Sequence, residues 1–271
     1  MIETILVATD GSEAASAAER CGIALAAKLR ARLSGITVVE DRDVNSPAGD
    51  DLAVPGFPAL ELAAFYKSRA EAVSGRFGQR ASGDAISATC EIAAGVACDR
   101  IVERGQASGL TVAGRDGKSA RGALIGSTVD GVVRKSAKPT LVVPAGAPVS
   151  GPILLGFDGS PGSRIAANLA VQLANGLGEA LHVFVDSKDK GRAVARFDEV
   201  RQLVGGLSVP VRENSSTLGR PDVKLVDTAR EIRAGIIAIG AFGRNRISEY
   251  FLGSNATSVV RSSPVAVLLA R

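Results

Sequence analysis

Two carboxylates and a repeated glycine pattern are the residues whose type and spacing could do chemistry in this chain. Asp10 and Asp158 each close a short apolar run, in Ile5-Leu-Val-Ala-Thr-Asp-Gly-Ser12 and Ile153-Leu-Leu-Gly-Phe-Asp-Gly-Ser160. An ionised carboxylate can only accept hydrogen bonds, which suits a ribose hydroxyl or a base amino group. Asp-Gly-Ser also makes a turn that starts a helix, and Ser160-Pro161 supplies Ser at the N-cap and Pro at N1. Both readings stand at this point. The glycines run Gly240-x-x-Gly243, nine residues, then Gly253-Ser254; and Gly114-x-x-Gly117, eight residues, then Gly126-Ser127. Glycine lets backbone approach a ligand without a Cβ clash. A Gly-Ser pair that opens a helix presents N–H groups and a dipole end to an anion, and the hydroxyl adds a donor. Main-chain amides at these helix starts are therefore expected to grip a phosphate tail. A single Gly-x-x-Gly would be only a turn and a cap; its recurrence at nearly the same spacing favours the phosphate reading.

Other candidates carry less. Gly117-Lys118-Ser119 imitates the end of a P-loop, but that loop needs glycine at position 112, which is Val112. No Gly-x-Gly-x-x-Gly follows the first apolar run, so the dinucleotide fingerprint is missing. Lys118, Arg121, Arg244 and Arg246 lie in the long loops and read first as solvated surface charges. Val38 and Val185, at the ends of the second strand of each half, would flank a flat base or simply fill a core. His182 is the sole histidine, which excludes a multi-His zinc site, and it reads as a packed residue rather than a catalyst. Cys21, Cys90 and Cys98 form no CxxC and suit a reducing compartment.

These residues need a scaffold, and the chain states it twice. Besides the Asp-Gly-Ser blocks, Thr111–Gly117 with Leu124–Ser127 matches Ile237–Gly243 with Phe251–Ser254, and Lys138–Val143 matches Ser263–Leu268. Three blocks in one order mean two copies of one domain. Asp10 and Asp158 are 148 positions apart but Ser127 and Ser254 only 127, so the second copy is 21 residues shorter in between. The excess is assigned to a Pro- and Gly-rich loop, 43–60. Pro144–Pro152 reads as the linker, giving domains 1–147 and 148–271.

Strands are expected at 3–9, 33–40, 85–93, 109–114 and 139–143, with helices at 12–30, 60–80, 97–107 and 126–137. The second copy reads strands at 152–157, 180–186, 208–213, 235–240 and 264–269, with helices at 161–177, 191–206, 220–233 and 253–262. Alternating β and α with apolar strands predicts a parallel sheet covered on both faces. The fold class is α/β: two tandem doubly wound, Rossmann-like domains, whose ligands bind beyond the carboxyl ends of the strands.

Composition sets outer bounds. The 271 residues are 46% hydrophobic and 22% charged, with net charge +4, as in an ordinary globular protein. Aromatics at 4% leave few base-stacking platforms, so nucleic acid is not an expected partner. No apolar stretch approaches the roughly 20 residues of a membrane span. Glu3 and Asp10 interrupt the region where a signal peptide would be apolar, so a cytoplasmic location is expected.

Nearly the whole chain resembles the universal stress protein family in its tandem two-domain form. ATP-binding members of that family show Gly-x-x-Gly, nine residues, then Gly-(Ser/Thr). Gly240, Gly243, Gly253 and Ser254 match in full; Gly114, Gly117, Gly126 and Ser127 match with one spacer residue missing. The family's strand-one Asp corresponds to Asp10 and Asp158, and its base-contacting Val to Val38 and Val185. The resemblance implies a five-stranded parallel sheet of order 3-2-1-4-5 in each domain. It implies an adenine nucleotide (ATP, ADP or AMP) as ligand and a regulatory stress-response role, with the second domain favoured. Whether Mg²⁺ accompanies the nucleotide is left open. It further implies pairing of the copies through Thr140–Val143 and Val265–Leu268 as a pseudo-dimer, association of two chains as a homodimer, and an unidentified protein partner. A slow ATPase on the same site, or an interaction module with a degenerate pocket, is the alternative.

Overall fold

A computed structural model describes residues 2–40, 59–116, 125–205, 208–217, 219–241 and 253–271. In the first half the strands are β1 (Thr4–Ala8), β2 (Arg32–Val39), β3 (Ala88–Ala94), β4 (Leu110–Gly114) and β5 (Thr140–Val143). The helices between them are α1 (Glu13–Leu29), α2 (Ala59–Gly83), α3 (Ala97–Gly105) and α4 (Ser127–Lys135). The second half repeats this as β6 (Ile153–Gly156), α5 (Pro161–Leu177), β7 (Leu181–Asp186), α6 (Lys190–Leu203), β8 (Val211–Ser216), α7 (Pro221–Glu231), β9 (Ile236–Gly240), α8 (Ser254–Ser262) and β10 (Ala266–Ala270).

The strands form one sheet of order β3-β2-β1-β4-β5-β10-β9-β6-β7-β8. Each half is thus parallel, as the alternating pattern required, and ordered 3-2-1-4-5, as the resemblance implied. The halves join where β5 runs antiparallel to β10, with Thr140 opposite Leu269 and Val142 opposite Val267. Both joining strands are buried along their length, so the seam is part of the core. On one face α1, α2, α5 and α6 cover Val7, Val112, Leu155 and Val183. On the other, α3, α4, α7 and α8 cover Leu6, Ala113, Leu154 and Phe184. Successive strand residues alternate between these two cores, which is why the strands read as unbroken apolar runs.

Two arginines stitch the halves together. Arg115, in the loop after β4, donates to the carbonyls of Ser263 (2.8 Å) and Arg261 (3.3 Å) at the end of α8. Arg271, after β10, donates to the carbonyls of Ser136 (2.6 Å) and Arg134 at the end of α4. Each cation meets carbonyls that a helix C-terminus leaves without intrahelical partners.

Some boundaries moved. The third strand of the first half starts at Ala88 rather than 85, because the turn after α2 places Ala85 at φ 58°. The third strand of the second half is 211–216 rather than 208–213; Pro210 precedes it, and its polar stretch Glu-Asn-Ser-Ser hid it. The expected loop 43–60 gives way to helix at Ala59; residues 41–58 lie outside the described residues.

Candidate functional site

The Asp-Gly-Ser segments leave the carboxyl ends of β1 and β6. Asp10 Oδ1 accepts from the Ser12 N–H (2.9 Å) and Asp158 Oδ1 from the Ser160 N–H (3.0 Å). The glycine between them sits at φ 74° or 75°, a conformation other residues rarely adopt. The serine then caps its helix: Ser12 Oγ accepts from Ala15 N–H (3.1 Å) and Ser160 Oγ from Ser163 N–H (3.2 Å). The turn reading of these residues is therefore realised. It uses one of a carboxylate's roughly four acceptor sites, so it does not by itself exhaust the group.

The two turns are braced differently. In the first half, buried Glu19 accepts from the Thr9 hydroxyl and from Arg80. In the second half the residues 148 positions on are Phe157 and Ala167, both buried apolar. The Thr9–Glu19–Arg80 network escaped the sequence reading, because a lone Glu in an Ala-rich helix resembles any surface acid.

The glycine loops connect β4 to α4 and β9 to α8. Gly114 and Gly240 end their strands against the first turn of the preceding domain helix. A Cβ on Gly114 would lie 2.7 Å from the Ala14 carbonyl carbon and oxygen; one on Gly240 would lie 2.8 Å from the Gly162 carbonyl carbon. Close backbone packing, not a ligand, already demands glycine there. Gly126 and Gly253 are the N-caps of α4 and α8. Their own amides are not bare, as the sequence reading expected. Gly126 N–H donates to Arg115 O (2.9 Å) and Gly253 N–H to Ala241 O (3.0 Å), closing each loop onto its strand. What stays available is the first helical turn beyond them, whose N–H groups have no intrahelical acceptor. Ser127 and Ser254, which open that turn, are exposed. Gly117, Gly243, Lys118, Arg121, Arg244 and Arg246 lie outside the described residues.

Strand register corrects the pairing of Val38 with Val185. Ala8 stands opposite Ile36 and Gly156 opposite Phe184. Two residues on, Asp10 aligns with Val38, and Asp158 aligns with Asp186. The counterpart of Val38 is thus Asp186, and that of Val185 is Thr37. A slip of one residue exchanges the faces of a strand. Val38 packs against the core on the α3–α4 side, as Cys98 and Ile125 do. Val185, 0% exposed, lies in the opposite core under α5 and α6. Asp186, the last residue of β7, has a buried Oδ1 with no hydrogen-bond partner among the described residues. At the start of α7, Asp222 accepts from the Ser258 hydroxyl of α8 (2.8 Å). Partial burial pushes the Asp222 pKa up, but Ser258, nearby backbone N–H groups and Arg220 outweigh it and hold the carboxyl below its usual range. In the first half the residue equivalent to Ser258 is Gly131, which packs on Cys98. Val38, Cys98 and Ile125 all pack against the apolar core on this side, whereas the second half has Asp186 in the place of Val38 and Asp222 bonded to Ser258.

His182 sits near the amino end of β7, away from these loops, with Nδ1 3.3 Å from Asn214 Oδ1. Burial pushes its pKa down. Burial raises the Cys21 and Cys90 thiols to about 12 and about 11. Among the described residues no group of three or more His, Cys, Asp and Glu side chains is placed to hold a metal ion, and no helix is long and apolar enough to cross a membrane.

The arrangement has known counterparts. The universal stress protein family model matches residues 1–144 and again 150–271. A universal stress protein of Mycobacterium tuberculosis is 28% identical over 209 residues, 69% of this chain and 70% of that protein. One of Mycolicibacterium smegmatis is 27% identical over 192 residues, 63% of this chain and 64% of that protein's length. The crystal structure of a universal stress protein from Archaeoglobus fulgidus shares the fold with TM-score 0.79 at 21% identity, covering 100% of this chain and 99% of its own. Two matches to one family in one chain, on two copies of one sheet order, leave a single conclusion: the chain belongs to the universal stress protein family, in its tandem two-domain form.

Proposed function

We propose that this chain binds adenine nucleotide at the carboxyl edge of its sheet and acts as a nucleotide-responsive regulatory protein. The observation that carries the reading is the placement of two glycine-capped helix starts, α4 and α8, open to solvent beside the Asp turns of β1 and β6. Helix starts of this kind favour anionic groups through unpartnered N–H groups and the helix dipole. The glycine pattern shared with ATP-binding members of the family supports the same reading. The Asp10 and Asp158 carboxylates stand where a nucleoside donor would arrive.

Spacer length pointed to the second copy as the better pocket. Strand register favours the first for the base, because Val38, unlike its counterpart Asp186, offers the apolar surface a ring requires. Regulation follows by population shift: nucleotide held at these helix starts alters the surface offered to a partner. The antiparallel β5–β10 seam supports reading the chain as an internal pseudo-dimer.

Calorimetric titration of the full chain with ATP tests the proposal. Gly126→Val should abolish the ATP heat at the first pocket, and Gly253→Val the binding of whichever purine nucleotide the second pocket holds. Both glycines have φ near −60°, open to any residue, so the variants should keep the wild-type circular dichroism. Absence of heat with ATP, ADP and AMP, and of any nucleotide in the protein as purified, would remove the reading.

A further inference from the structure

The two pockets are built on one plan but differ at the end of the second strand. Phe184 contributes to the core under α7 and α8. Asp186, two residues later, falls on the same face at the carboxyl edge. Helix α8 follows β9, and β9 is separated from β7 by β6 alone. At strand spacings near 4.8 Å, the ends of β9 and β7 lie about 10 Å apart. That is about the reach of a nucleotide from its phosphates to its base. A ligand whose phosphates rest on the start of α8 therefore brings its base to Asp186.

Asp186 cannot serve as Val38 does. Its Oδ1 is buried and has no partner among the described residues. A buried carboxylate oxygen left without a donor is costly, and an ionised carboxylate can only accept. The ligand edge that answers it carries adjacent N–H donors. Adenine offers its 6-amino group beside N1, an acceptor that the carboxylate repels. Guanine offers N1–H and the 2-amino group side by side, matching the two oxygens as a fork.

We propose that the second pocket reads guanine, with Asp186 accepting from N1–H and the 2-amino group, while Val38 leaves the first pocket to adenine. This rests on the nucleotide reading above and divides the two pockets by base. The chain then responds to two purine nucleotides rather than to one ligand twice.

The test is equilibrium dialysis of the full chain against labelled GTP, ATP and XTP, in wild type, Asp186→Asn and Asp186→Val. Wild type should bind one GTP that excess ATP displaces poorly. Asp186→Val should lose GTP affinity roughly 10- to 100-fold, the discrimination a two-bond base contact supplies, and leave ATP binding at the first pocket unchanged. Asp186→Asn keeps the side-chain shape and presents an amide N–H, which fits the carbonyl that xanthine carries in place of the 2-amino group. It should exchange GTP for XTP, an outcome no purely structural role of Asp186 produces. Equal affinity of wild type for GTP and ATP at both pockets, or Asp186→Asn retaining GTP without gaining XTP, overturns the assignment. Failure of every nucleotide to bind any form would instead sink the nucleotide reading itself, and this inference with it.

Discussion

Replacing Gly240 by Ala separates two explanations of the glycine pattern. If glycine is there for a ligand, Gly240→Ala should spare the empty protein and damage binding. The structure assigns it to packing. The new methyl would stand 2.8 Å from the Gly162 carbonyl carbon and 2.9 Å from the Ser163 nitrogen. Carbon contacts relax at 3.5–4.0 Å, so strand and helix must part by about 0.7 Å. Both obstacles are backbone in the first turn of α5, and that turn is pinned by the Ser160 cap and the Asp158 bond. Overpacking against a part that cannot yield costs about 1–3 kcal/mol. At about 2–4 °C per kcal/mol, the melting temperature should fall by roughly 2–12 °C with no nucleotide present. Gly114→Ala, which meets the Ala14 backbone at 2.7 Å, should behave alike. Gly75→Ala is the control: it lies inside α2 with nothing within 4 Å and should stabilise by about 0.5–1 kcal/mol. Thermal melts followed by circular dichroism decide the matter. A Gly240→Ala protein with unchanged melting temperature and lost nucleotide affinity would refute the packing argument.

Other expectations follow from single contacts. Arg115→Ala removes the cation from the carbonyls closing α8; with the side chain 19% exposed, about 1–2 kcal/mol of stability should go, and an unchanged urea midpoint would contradict the clamp. Burial raises all three thiols, Cys90 to about 11 and Cys21 to about 12, and Cys98 is the least covered of them, so at pH 8 a thiol reagent should label Cys98 first and Cys21 only on unfolding; early modification of Cys21, read by mass spectrometry, would contradict the packing of α1. His182 has its folded pKa below the unfolded value of about 6.5, so the unfolded chain takes up the proton first and its stability contribution falls as pH drops below about 6.5. His182→Gln should flatten that slope in urea titrations at pH 5 and 7, and an identical slope would remove His182 as its source. Arg80→Ala should destabilise the first half, since it leaves buried Glu19 with only the Thr9 hydroxyl of this network; an unshifted melt would show the carboxylate relaxing into solvent.

Sequence alone determined the tandem repeat and the alternating α/β pattern, and hence a parallel, doubly wound sheet, because these follow from local periodicity and from the narrow choice of parallel connections. The strand order of each half was implied by the family resemblance. It also located Asp10, Asp158, Gly126 and Gly253 at strand exits and helix starts, because turn and cap chemistry is written in adjacent residues. Tertiary structure decided the rest. Which face Val38 and Val185 occupy depends on register between strands far apart in the chain, and one residue of slip exchanges the faces. Whether Gly114 and Gly240 face a ligand or a neighbouring backbone depends on α1 and α5, about 100 and 80 positions earlier. That Arg115 closes a helix of the other half, and that Asp186 holds a buried oxygen without a partner among the described residues, became visible only once distant segments were packed together. Periodicity and capping act over a few residues, whereas burial and pairing are properties of the assembled chain.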